Sequence, residues 1–162
     1  MQVIDALAPP RAARVLSCAC HDGGATSVAA LDRFQVATGG RHGSIMLHDI
    51  RMMGSGADAL PLWSLPGVHS GAVGAITTFA SAAPNQPILL ASGGADGDIR
   101  LTHLDGSECC VMCSHTSDSH TKLRTGSGSG ALAIVTGLAD TGAGLLSCGG
   151  DGKVNELQFR AK

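Results

Sequence analysis

A chain of 162 residues that is 44% hydrophobic can build one domain with an apolar core, but at 2% aromatic content Val, Leu, Ile and Ala must do the packing. A net charge of -2 gives no basic footprint for nucleic acid. No apolar run approaches the ~20 residues of a membrane span. Met1 to Asp5 lack the basic and apolar regions of a signal peptide, so six cysteines are expected as reduced thiols in the cytoplasm.

Along the chain, Val3-Ile4-Asp5 reads as the end of one strand and Val15 to Cys18 as the next. His21 and a small-residue loop then lead into a strand ending at Leu31, and a second strand ends at Val36-Ala37-Thr38. The glycine-rich turn Gly39 to Gly43 follows, then a strand over Ile45 to Asp49. Arg51 to Ala59 contains Gly54 and Gly56 and reads as a loop, and a fourth strand is expected near Leu60 to Leu65. The order repeats from His69: a strand over Val73 to Phe79, then Leu90-Ala91-Ser92, the turn Gly93 to Gly97, Ile99 to His103, and a fourth strand near Cys109 to Cys113. In the third copy His115 or His120 precedes a flexible Gly/Ser linker, Gly126 to Gly130, and a strand is expected over Leu132 to Val135. Leu146-Ser147, the turn Cys148 to Gly152, and Val154 to Gln158 complete it.

The step from Thr38 to Ser92 is 54 residues and from Ser92 to Ser147 it is 55, so the chain is a repeat. Four short antiparallel strands per repeat describe a β-propeller blade. The expected architecture is all-β, a partial propeller of about three and a half blades with the ring not closed. Residues 1–20 would be the second half of a blade, 21–65 and 69–113 whole blades, and 115–162 a last blade lacking its fourth strand. Propellers need about four to eight blades, so the chain is expected to be part of a larger protein or assembly, with the remaining blades as partners.

The pattern resembles the WD-repeat family, whose blades carry a Gly-His pair, a Ser or Thr before the turn, an Asp in the turn and a Trp-Asp ending. The matching residues are His21 and His69, Thr38, Ser92 and Ser147, Asp96 and Asp151, and Asp49. His42 stands where the first copy would have its turn Asp, and the Trp position holds His48, Thr102 and Leu157. The resemblance implies a buried hydrogen-bond network in each blade, incomplete here, with strand packing making up the difference.

A closer resemblance, from about Val3 to Phe159, is to the carboxy-terminal propeller of the DmX-like (rabconnectin) proteins. It rests on the order of Cys20-His21-Asp22-Gly23-Gly24-Ala25-Thr26, Thr38-Gly39-Gly40-Arg41-His42-Gly43, His48-Asp49-Ile50-Arg51 and Leu146-Ser147-Cys148-Gly149-Gly150-Asp151-Gly152-Lys153. It implies a non-enzymatic scaffold that assembles and regulates the vacuolar proton pump, the V-ATPase, within a RAVE-type complex. The implied partners are V-ATPase subunits and other RAVE-type components. The family's long amino-terminal regions are absent from the sequence.

Other motifs compete with that reading. Cys110 and Cys113 have a zinc-ligand spacing, with His115 and His120 beyond them, but a second Cys-x-x-Cys pair is missing and alternate thiols of a strand pack as small hydrophobes. His21 and His69 as general bases have no recognisable nucleophile setting. The Gly149-Gly150-Asp151-Gly152-Lys153 stretch lacks the first glycine of a phosphate loop, and Val154 replaces its Ser/Thr. Asp96-Gly97-Asp98 lacks the fuller calcium-loop pattern and reads as a tight turn. Trp63, the single Trp, is either a partner anchor or a residue packed on its own blade. No cofactor is expected.

Overall fold

The computed structural model describes residues 2–4, 7, 14–17, 19–53, 60–80, 88–115, 134–142 and 144–158. Among these residues it is all-β, with no helix, and every strand pairing is antiparallel. A two-stranded sheet pairs β1 (Gln2–Ile4) with β2 (Arg14–Ser17). The first larger sheet runs β3 (Ala25–Ala30), β4 (Gln35–Gly40), β5 (Ile45–Asp49) and β6 (Trp63–Leu65) in simple order. The second repeats it with β7 (Val73–Ala80), β8 (Ile88–Gly94), β9 (Asp98–His103) and β10 (Glu108–Ser114). The third has three strands, β11 (Val135–Asp140), β12 (Gly144–Gly149) and β13 (Val154–Gln158).

The third repeat differs from expectation at its start: its first strand begins at Val135 and runs on to Asp140. Leu132 and Ala133 lie outside the described residues, as do Asp5, Cys18, His120 and the Gly126 to Gly130 linker. The reason for the later start is the register. Val135 pairs with Gly149 as Val73 pairs with Gly94, so Val135 is the lead residue of its sheet.

The core lies between consecutive sheets. Ala37, Ile45 and Leu47 of the first sheet close on Val73, Ile76 and Leu90 of the second. Ala91, Ile99 and Leu101 of the second close on Val135 and Leu145 of the third. Burying each Ile or Leu stabilises the junction by roughly 1.5–3 kcal/mol. First strands meet across each junction, β3 on β7 and β7 on β11.

The close approach requires glycine on the receiving sheet. A Cβ at Gly39 would meet the Val73 side chain and one at Gly93 would meet Val135. Gly39 and Gly93 are therefore notches into which the next sheet's lead valine fits, while Gly40 and Gly94 beside them make room for His21 and His69.

Backbone bonds repeat with the packing. The His69 N–H donates to the Gly43 carbonyl at 3.1 Å, and the His115 N–H donates to the Gly97 carbonyl at 2.8 Å. Each histidine thus ties its sheet to the turn of the sheet before.

Candidate functional site

The same histidines organise three polar clusters. Each lies within four residues of the end of the preceding strand, with its ring against the second strand of the sheet that follows. Nε2 lies 2.8 Å from Thr38 Oγ1 for His21, 2.8 Å from Ser92 Oγ for His69, and 2.9 Å from Ser147 Oγ for His115. The other ring nitrogen faces the turn. His69 Nδ1 is 3.0 Å from Asp96 Oδ1, and His115 Nδ1 is 2.9 Å from Asp151 Oδ2.

Electrostatics settle the tautomer in the second sheet. Burial opposes ionisation of Asp96, but the Ser70 amide and the His69 ring outweigh it and hold the carboxyl below its ordinary value. An ionised carboxylate only accepts, so His69 Nδ1 carries the proton and Nε2 accepts from the Ser92 hydroxyl. Burial holds His69 itself below the usual histidine value, with Asp96 pulling the other way.

In the third sheet the Asn155 amide also approaches His115 Nε2, at 3.2 Å. Asn155 lies directly across from Ser147, so the register delivers it. His115 therefore belongs to the network. With both ring nitrogens engaged it cannot also join Cys110 and Cys113 as a zinc ligand. Cys110 instead donates toward Met112 Sδ at 3.5 Å on exposed strand β10, and Cys113 is half-buried, its thiol pushed up by burial. Among the described residues no three His, Cys, Asp or Glu side chains form a metal-binding group.

The first sheet departs from the other two. His42 does not take the place of the turn aspartate; the Ser44 hydroxyl does, 2.8 Å from His21 Nδ1. His48, at the position of the family's Trp, joins the network, its Nε2 3.0 Å from Thr38 Oγ1. Thr102 at that position in the second sheet leaves its hydroxyl buried without a partner, and Leu157 in the third is half-buried and packs on the second junction's core. Asp49 is not a network residue. Successive side chains of β5 point to opposite faces, and Asp49 grips Arg51, whose guanidinium stacks on Phe34 at 4.4 Å.

Trp63 reaches beyond its own sheet. Its indole N–H donates to the Leu104 carbonyl at 2.8 Å, and its ring lies against Gly106 in the β9–β10 turn. It is a brace between the first and second sheets.

A Ser–His–Asp relay makes a nucleophile only where the hydroxyl meets a substrate. Ser92 is 0% and Ser147 1% exposed. The enclosed hydroxyls join strands, and the clusters act as cohesion between turn, strand and preceding histidine. No family model and no curated protein matches the chain. No helix among the described residues is long and apolar enough to cross a membrane.

Proposed function

We propose that the chain is part of a WD-repeat β-propeller and serves as a non-enzymatic protein-interaction scaffold in the cytoplasm. The specific form of the proposal is a DmX-like protein acting on V-ATPase assembly and regulation in a RAVE-type complex. Its partners would be V-ATPase subunits, other RAVE-type components and further blades, with no nucleic acid, cofactor or membrane insertion. The observation that carries the scaffold reading is the recurrence, in three successive antiparallel sheets, of a histidine bonded to a buried Ser or Thr hydroxyl. In that arrangement the polar chemistry is spent on holding sheets together, which leaves loops and rims for partners. The DmX-like assignment is supported by the ordered phrases from Cys20 to Lys153.

Affinity purification of the tagged chain from its native cells, with quantitative mass spectrometry, tests it. Enrichment of V-ATPase subunits is the expected result. Enrichment of a different stable complex without them would replace the reading with a WD-repeat adaptor of another assembly. Stoichiometric zinc in the purified protein would revive the metal-binding alternative.

A further inference from the structure

We propose that the His21–Thr38–His48 cluster makes the first sheet an acid-sensitive element, which loosens as pH falls below about 6.5 by more than the sheets whose histidines face Asp96 and Asp151. The proposal stands on the geometry of two imidazoles sharing one hydroxyl. Thr38 Oγ1 lies 2.8 Å from His21 Nε2 and 3.0 Å from His48 Nε2. Thr38 and His48 are each 1% exposed. The hydroxyl has one proton, so it donates to one ring and accepts from the other. The Thr38 hydroxyl is satisfied when both rings are neutral. With both protonated, two N–H donors point at the Thr38 oxygen and its own proton has no acceptor. His48 Nδ1 is buried and already has no hydrogen-bond partner.

The surrounding charges offer no remedy. On the turn side His21 meets the neutral Ser44 hydroxyl, where His69 and His115 meet carboxylates. His42, in the same turn, lies with its ring against Gly23, and Arg41 and Asp22 are exposed. Asp49, next to His48, gives both oxygens to Arg51. Facing from the second sheet, His69 is engaged with Asp96 and Ser92. Burial holds both His21 and His48 below the usual histidine value, and at His48 the neighbouring His21 ring adds to this.

The sign follows directly. A histidine whose folded value is lowered binds its proton more readily unfolded, so its stabilisation is complete above about pH 6.5 and is lost as pH falls below it. At pH 5.5 the loss in the opening equilibrium has a ceiling of about tenfold for one such group and about a hundredfold for two.

The test is hydrogen exchange of the full chain at about pH 7.4 and 5.5, corrected for intrinsic rates and resolved by strand. The expected result is that β4 and β5 lose more protection than β8 and β9, by up to about tenfold for each of the two histidines. Emission from Trp63, one residue along the register from His48, should shift in the same pH range. His42→Asp, at an exposed turn position, places a carboxylate four residues after Thr38, as Asp96 stands to Ser92, and should abolish the excess loss. His48→Gln should reduce it. Equal loss across both sheets, or an excess unchanged in His42→Asp, would overturn the proposal.

Discussion

Val154 stands seven residues after Ser147 as Ile99 stands seven after Ser92, yet Val154 is 70% exposed and Ile99 is 0%. The difference comes from their neighbours. Ile99 is covered by Val135 of the next sheet, whereas β13 forms the edge of the third sheet among the described residues. Ile99→Ala should therefore cost about 2–5 kcal/mol and Val154→Ala less than about 0.5 kcal/mol. Urea unfolding of the two variants checks this, and similar losses would show that another surface covers Val154.

Two turn glycines share a conformation but not a setting. Gly43 has φ +79° and Gly152 has φ +74°. A Cβ on Gly43 would run into the His69 carbonyl, which is backbone and cannot swing aside, while one on Gly152 meets nothing within 4 Å. Gly152→Ala should cost about 1–2 kcal/mol for the left-handed conformation alone. Gly43→Ala should cost clearly more, because it also breaks the tie between the first two sheets. Thermal melts in which both variants lose the same amount would contradict this.

Ser92→Ala removes the donor to His69 Nε2 inside a closed core. The stranded nitrogen should cost about 1–3 kcal/mol. Ser92→Thr keeps a hydroxyl, as Thr38 does in the first sheet, and is expected to recover part of that loss. A pair of chevron or equilibrium denaturation series would separate the lost hydrogen bond from the lost volume.

Asp96 and Asp151 both have carboxyls held below their ordinary value; burial opposes this, and the Ser70 and Lys153 amides with the adjoining histidines outweigh it. Groups lowered in this way stabilise above the unfolded carboxylate value, about 3.9, and the contribution vanishes as pH falls through the lower folded value. Asp96→Asn should flatten the acid limb of the stability profile below about pH 4. An acid limb of unchanged slope would assign that limb to other carboxylates.

Replacing Trp63 by Phe keeps the ring against Gly106 but deletes the bond to the Leu104 carbonyl. The expected loss is about 0.5–1.5 kcal/mol. Exchange at the β9–β10 turn should rise with it, since that turn is the other end of the brace.

The strand order and the glycine turns were legible because their determinants are local. Thr38, Ser92 and Ser147 each sit beside a turn whose residues are adjacent in sequence, so register follows from the turn. His21 and His69 lie four residues before their first strands, and that spacing identified them. His115 lies twenty before Val135, with residues 116–134 between, so spacing alone leaves His115 and His120 as alternatives and leaves His115 open to a cysteine-cluster reading. The fourth strand ending at Ser114, immediately ahead of it, was the available signal. Ser44 was missed because the substitute for the turn aspartate comes two positions later in the turn, a swap that needs three-dimensional reach. Asp49 bonds Arg51 while His48 bonds Thr38, because a one-residue step on a strand changes the face. Trp63 and Val154 depend on which sheet stands beside them, which side-chain alternation does not encode.

The Gly39–Val73 and Gly93–Val135 contacts have a geometric consequence. With no side chain on the glycine, backbone meets valine directly at both junctions. A wedge of sheets is only as open as its narrowest contact allows. Adding a methyl group at either glycine would widen the angle between its two sheets, and adding both would compound it along the array. How closely one sheet nests on the next is thus set by the residues that are smallest.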